Sequence, residues 1–174
     1  PDGKFIASAN SKPLNSNLQI FNFNTTTGGL SLISTTSFPN STDGIGVYGV
    51  EFSNTSNLLY VTNIDYANKK SQLYQFNLEV PTETAINNSK VLLGEFTGTE
   101  VGKGAFGALQ LAPNKKIYMA RNGLNYIGAI NNPDVYGTGS NFSANAFFFC
   151  FKISSFGLPA FVTSLFDISY RFSN

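Results

Sequence analysis

Ala105 to Asn131 reads AFGALQLAPNKKIYMARNGLNYIGAIN. Three strand patterns follow one another in it. Gly107 to Leu111 is apolar and ends before Pro113-Asn114. Lys116 to Arg121 alternates around Ile117 and Met119, and Tyr126 to Asn131 alternates around Ile127 and Ile130. Turn residues separate the runs, Pro113-Asn114 first and Asn122-Gly123 second. Strand, turn, strand, turn, strand at such short intervals predicts an antiparallel meander. A single meander cannot bury both of its faces, so it must stack on copies of itself.

The copies are in the chain. Tyr126-Ile127-Gly128-Ala129-Ile130-Asn131 begins 54 positions after Gln72-Leu73-Tyr74-Gln75-Phe76-Asn77, which begins 53 positions after Gln19-Ile20-Phe21-Asn22-Phe23-Asn24. The middle strand and its turn repeat as Pro1-Asp2-Gly3-Lys4-Phe5-Ile6-Ala7, as Asn54-Thr55-Ser56-Asn57-Leu58-Leu59-Tyr60 and, with one turn residue dropped, as Ala112-Pro113-Asn114-Lys115-Lys116-Ile117-Tyr118. The first strand repeats as Tyr48-Gly49-Val50-Glu51-Phe52 and Phe106-Gly107-Ala108-Leu109-Gln110-Leu111. Solvent-facing outer strands are expected over Leu30–Ser37 and Lys90–Phe96. A four-stranded unit repeated at a steady period is the signature of a β-propeller blade.

The expected fold is therefore all-β: a β-propeller fragment of about three four-stranded blades, over residues 1–46, 47–104 and 105–156, with a closing strand over 157–174. Closed rings need about four to eight blades. The chain also opens at Pro1-Asp2-Gly3, inside a blade turn. The expectation is thus the C-terminal part of a larger ring of seven or eight blades, with the remaining blades of the same protein as its first partner.

Composition narrows the function classes. There are 21 Asn, most of them in the expected turns, where Asn tolerates positive φ and bonds its own backbone. The net charge of +1 gives no electrostatic footprint for nucleic acid. No apolar run is long enough to span a bilayer as a helix. The chain has no His, which removes imidazole from acid–base chemistry, metal ligation and nucleophile activation. A single Cys allows neither an internal disulfide nor a cysteine zinc site. Nothing in the pattern calls for a catalytic residue, a cofactor or a metal.

Three features stand out. Glu51 sits on an expected inner strand, where a carboxylate is placed to line the central channel. Ala146-Phe147-Phe148-Phe149-Cys150-Phe151 is the most apolar hexapeptide. It fits a strand buried on both faces between blades, with Cys150 as a small buried hydrophobe. It also fits an exposed interaction strip made of Phe147, Phe148, Phe149 and Phe151. Val162 to Phe172 alternates, with Phe166, Ile168 and Tyr170 on one face and Asp167 and Arg171 on the other, and reads as a half-buried strand. Lys115-Lys116 reads as a solvated turn tip. The five Asn-X-Ser/Thr triplets are what so Asn-rich a chain gives by chance.

The run Phe106-Gly107-Ala108-Leu109-Gln110-Leu111-Ala112-Pro113-Asn114-Lys115-Lys116-Ile117-Tyr118, followed by Ile130-Asn131-Asn132-Pro133 and Gly157-Leu158-Pro159-Ala160-Phe161, resembles the propeller region of very large secreted proteins of gliding bacteria. The resemblance implies a cell-surface or extracellular protein exported by type IX secretion, adhesin-like or gliding-associated. Its implied partners are secretion machinery, other cell-surface proteins or glycans. It implies no catalytic residues. Pro1-Asp2-Gly3-Lys4-Phe5-Ile6 and the turn from Phe23-Asn24 to Thr27-Gly28 also look like lactonase-type propellers, which implies the alternative of a propeller hydrolase.

Overall fold

The computed structural model describes residues 2–12, 14–38, 45–150 and 152–158. Alternating apolar residues set the strands, and the Asn- and Gly-rich breaks set the reversals. The first sheet contains β1 (Phe5–Asn10), β2 (Ser16–Phe23) and β3 (Leu30–Phe38). The second contains β4 (Gly46–Phe52), β5 (Leu58–Asp65), β6 (Lys70–Asn77) and β7 (Val91–Thr97). The third contains β8 (Phe106–Leu111), β9 (Ile117–Arg121), β10 (Tyr126–Ile130) and β11 (Phe142–Phe148). Each sheet is an antiparallel meander in chain order. In each sheet the second strand opens opposite the close of the third: Phe5 faces Asn22, Leu58 faces Asn77 and Ile117 faces Ile130.

The turn before the second strand of each sheet shares one left-handed position, although it is a residue shorter in the third sheet, where Ala112 N donates to the Lys116 carbonyl, than in the second, where Ser53 N donates to the Leu58 carbonyl. Gly3, Ser56 and Lys115 occupy the same place in the repeat and share φ values of 72°, 61° and 62°. Only the first of the three is the residue that adopts this conformation without steric cost.

Two cores lie between the sheets. Leu18, Ile20 and Phe38 of the first sheet meet Val47, Leu59, Val61 and Phe76 of the second. Leu58, Tyr60 and Leu73, on the other face of the second sheet, meet Phe106, Leu109, Ile117, Met119 and Ile130 of the third. Period-two alternation along β5 divides its residues between the two interfaces: Leu59 and Val61 face one way, Leu58 and Tyr60 the other.

The inner strands β4 and β8 approach each other closely, which explains Gly49. Both strands shift register against their neighbours at that point, β4 between Val47 and Val50 and β8 between Phe106 and Leu109. A Cβ on Gly49 would lie 2.7 Å from the Gly107 carbonyl oxygen, so only glycine fits. The architecture is thus all-β, three blade-like sheets stacked side by side with β4 and β8 adjacent at the inner edge.

Several sequence expectations need correction. The connection from β6 to β7 contains a helix, α1 (Glu83–Asn88), capped by Thr82 Oγ1, which accepts from Ala85 N at 3.3 Å. Its Ile86 is buried in the first core. A short 3-10 turn at Gly137–Ser140 occupies the equivalent connection in the third sheet. The aromatic strand begins at Phe142, and its far end is not buried on both faces: Phe147, Phe148 and Phe149 are 45%, 57% and 37% exposed. Among the described residues it is the edge strand of its sheet, paired by β10. Cys150, in the turn that follows, is exposed. Lys116 is not a free turn tip, because its Nζ donates to Asn131 Oδ1 at 2.8 Å. Phe151 and the alternating stretch from Val162 to Phe172 lie outside the described residues.

Candidate functional site

The turns that open β5 and β9 and the connection from β10 to β11 meet at one end of the second interface. Between them lies a cleft of about 290 Å³, lined by Asn54, Asn114, Lys115, Asn131, Asn132 and Asp134 among others. Turn chemistry placed these residues here, since Asn and Asp close tight reversals by bonding nearby backbone. Asn114 does so directly: its Oδ1 accepts from Lys116 N at 3.2 Å, and its Nδ2 donates to Tyr118 Oη at 2.8 Å.

Asp134 locks the cleft. Its Oδ1 accepts from Thr55 N and from Thr55 Oγ1, both at 3.0 Å, and its Oδ2 accepts from Asn54 Nδ2 at 3.1 Å. Burial pushes its carboxyl pKa up, but the donors of Thr55 and Asn54 outweigh burial and hold it below the usual aspartate value. Behind it, Tyr60 Oη donates to the Pro133 carbonyl at 2.9 Å. Gln75 Nε2 donates to Tyr60 Oη at 2.6 Å and to the Val135 carbonyl at 3.0 Å. Gly137 N donates in turn to Gln75 Oε1 at 2.7 Å. Tyr60 and Gln75 are fully buried, and burial raises the tyrosine's pKa. The connection between β10 and β11 is thus clasped onto the second sheet by a satisfied polar network.

Glu51 lies near the same end of β4, half-buried and turned toward the third sheet. Its Oε2 accepts from Leu111 N at 2.9 Å and its Oε1 from Phe52 N at 3.0 Å. Desolvation raises its pKa, opposed by those two bonds. The carboxylate therefore ties β4 to β8. It does not join a second acid: among the described residues there is no cluster of metal-ligating side chains.

The aromatic edge is a separate surface. Phe147 packs on Tyr118 with ring centroids 5.5 Å apart, and Phe148 on Tyr126 at 5.2 Å. These pairs leave one side of each ring open. A third surface, a groove of about 690 Å³ beside the first sheet, is lined by Phe5, Phe23, Leu30, Asn22, Asn24 and Pro81 among others.

Sequence reasoning found Glu51 and the phenylalanines, which the structure keeps apart. It missed the clasp. Tyr60 and Gln75 are polar residues at core positions of alternating strands, and that conflict was the available signal. Arg121 was missed in the same way. It is 1% exposed, with its guanidinium carbon 4.6 Å from the Phe96 ring centroid and 4.9 Å from that of Phe106. Nε donates to the Gly104 carbonyl at 2.9 Å, and Nη1 to the Ala144 carbonyl at 2.8 Å and Asn145 Oδ1 at 2.9 Å. Burial lowers its pKa to about 10. Carbonyl caps and aromatic faces stand in for a carboxylate.

No family model matches the chain, and no curated protein matches it. Among solved structures, it is similar to a protein assigned as a dipeptidyl aminopeptidase IV from Bacteroides ovatus, at 13% identity and a TM-score of 0.44. That match covers 80% of this chain and 24% of the other. It is also similar to a hypothetical selenium-binding protein from Sulfolobus tokodaii, at 14% identity and a TM-score of 0.38, covering 80% of this chain and 31% of the other. The chain therefore spans less than a third of the length of either. Overlaps this partial carry no weight for its activity. Among the described residues, no helix is long and apolar enough to cross a membrane.

Proposed function

We propose that the chain is a non-enzymatic recognition or scaffold propeller of a secreted bacterial cell-surface protein, engaged in adhesion or gliding motility and exported by type IX secretion. The observation that carries the recognition reading is the amide-lined cleft. Four carboxamides, those of Asn54, Asn114, Asn131 and Asn132, border it. Its one carboxylate, Asp134, is committed to three donors. Amide donors and acceptors held on turns, beside Lys115, suit a polyhydroxylated ligand, that is, a glycan. Surface location and export route rest on the sequence resemblance.

A rival reading is a lactone hydrolase. What favours it is Glu51, a carboxyl with a raised pKa on an inner strand. The two readings separate in one experiment, a glycan array run beside a lactone panel. Recognition predicts glycan binding without turnover, weakened about tenfold or more by Asn132→Ala. Lactone turnover lost in Glu51→Gln would establish the hydrolase instead.

A further inference from the structure

We propose that the open face of the third sheet seats a further inner strand of this same chain, entered through Ser154–Leu158, and that Gln110 accepts a backbone N–H from that strand. The proposal goes beyond the recognition reading and does not depend on it.

The argument starts from the completed interface between the second and third sheets. On β4, Glu51 lies opposite Tyr60, and its Oε2 reaches across to accept from Leu111 N on the next inner strand at 2.9 Å. On β8, Gln110 lies opposite Tyr118, in the place Glu51 holds one repeat earlier. Its Oε1 is buried and has no hydrogen-bond partner among the described residues. A buried acceptor left without a donor is costly, because it has given up its bonds to water. The repeat supplies the missing donor: a backbone N–H on the following inner strand.

The segment that would lead into it is in place. In the completed interface the Gly107 carbonyl fills the space over Gly49, 2.7 Å from where a Cβ would stand. At the corresponding register shift of β8, between Phe106 and Leu109, the Phe156 carbonyl lies 2.5 Å from where a Cβ on Gly107 would stand and accepts from Ala108 N at 2.7 Å. Ser154 N donates to the Leu124 carbonyl at 2.7 Å, and Gly123 N to the Ser154 carbonyl at 2.9 Å. The Phe156 ring lies 5.5 Å from that of Tyr48 on β4, so this segment has reached the inner edge where β4 and β8 meet. The sequence marks the same point. An aromatic followed by glycine sits at the register shift of β4, as Tyr48-Gly49, and of β8, as Phe106-Gly107, and recurs as Phe156-Gly157.

The occupant follows from these constraints. Leu111 lies four residues beyond Gly107. The same distance from Phe156 or Gly157 reaches Ala160 or Phe161, and both carry an N–H, whereas Pro159 does not. The strand would also cover Tyr118 and its partner Phe147, which face the open side.

The chain has no Trp, so Tyr118→Trp introduces a single reporter on this face. In the intact chain its emission should be blue-shifted. Its acrylamide quenching should be several-fold weaker than that of an exposed reference, Leu92→Trp on β7. Truncation after Leu158 should raise quenching several-fold. If the truncated chain loses its β-sheet circular dichroism, the intact chain decides alone: an indole there as accessible as the Leu92→Trp reference overturns the proposal. So does protection that vanishes on dilution, which would make a second copy the occupant. In the Tyr118→Trp background, Gln110→Leu should raise quenching about twofold or more, while Gln110→Glu, which restores the residue of the completed interface, should not. Equal quenching in all three removes Gln110 from the contact.

Discussion

The two faces of β5 open onto two different kinds of interface. Leu59 looks toward the first sheet, into a core of aliphatic and aromatic residues closed at one edge by Ile86 of α1. Tyr60, its neighbour in sequence, looks toward the third sheet, where its hydroxyl belongs to a buried network with Gln75 and the Pro133 carbonyl. In both places a helical turn on the connection to the outer strand reaches back over the preceding sheet. α1 does so mainly by packing Ile86 and by the hydrogen bond of Thr36 Oγ1 to Asn87. The connection around Gly137–Ser140 does so by polar contacts, including Tyr136 Oη to the Ser89 carbonyl at 2.5 Å. The repeat has thus kept the device and changed the chemistry. An apolar contact tolerates sliding and is insensitive to pH, whereas a hydrogen-bonded one fixes register and depends on every member being satisfied.

Truncating the apolar side tests this most strongly. Leu59→Ala removes a fully buried side chain, and its cost should be about 3 kcal/mol in denaturant unfolding. The loss should be nearly constant from pH 4 to pH 8. A cost below about 1 kcal/mol would mean that the first interface relaxes around the hole and contributes little. Tyr60→Phe, one residue along, keeps the ring and deletes only the hydroxyl. The Pro133 carbonyl then loses its donor inside the protein, while Gln75 keeps its bond to the Val135 carbonyl. The expected cost is about 1–2 kcal/mol. The mark of a clasp is coupling: combined with Asp134→Asn, the two losses should sum to more than the double variant shows, because either change frees the same connection.

Asp134 makes the second interface pH-sensitive. Its folded pKa lies below the ordinary value of 3.8, because Thr55 and Asn54 donate to the ionised form. The stabilisation is therefore complete above that ordinary value and is lost as pH falls through the lower, folded one. Glu51 runs the other way. Its folded pKa is raised above 4.5 by desolvation, so its contribution is complete below that value and declines as pH rises through the folded one. Melting curves from pH 2.5 to pH 7 should show the acid-side decline shrink in Asp134→Asn. The decline above pH 4.5 should shrink in Glu51→Gln. An unchanged acid limb in Asp134→Asn would show that the ionised carboxylate contributes nothing to holding the connection, leaving it to the Tyr60 and Gln75 hydrogen bonds and to packing.

The sequence made the frame legible and left the joints obscure, for a physical reason. Alternation and turn residues are local, so the strands from Phe5 to Ile130 could be placed from the spacing of Phe23, Phe76 and Ile130 and their neighbours. What joins one sheet to the next is not local. The donor to Asp134 lies 79 positions away at Thr55, and the acceptor of Tyr60 lies 73 positions away at Pro133. The aromatic run misled for a related reason. Phe147 to Phe149 has the composition of a buried strand, but its position at the sheet edge decides its exposure, and no single-strand pattern encodes which strand is outermost. Glu51 was correctly marked as unusual. Its commitment to Leu111 N depends on the approach of β8, which only the stacked sheets reveal.

The smallest effect concerns the turn that all three sheets share. Gly3, Ser56 and Lys115 adopt the same left-handed conformation, which costs a residue with a Cβ roughly 1–2 kcal/mol and glycine almost nothing. Replacing Lys115 with glycine removes that strain but adds backbone freedom to the unfolded chain, worth about 0.5–1 kcal/mol in the other direction. The neighbouring contacts survive the change, because Asn54 Nδ2 donates to the Lys115 backbone carbonyl and Lys115 N donates to the Ala112 carbonyl. Lys115→Gly should therefore stabilise the chain by about 0.5 kcal/mol. Ser56→Gly should gain nothing, although its strain is the same: Ser56 Oγ accepts from Asp2 N at 3.0 Å, and that bond to the first sheet would be lost. The pair of variants isolates what the side chain does at a shared backbone position. Equal shifts in melting temperature for both would mean that the Ser56 bond contributes nothing to holding the first two sheets together.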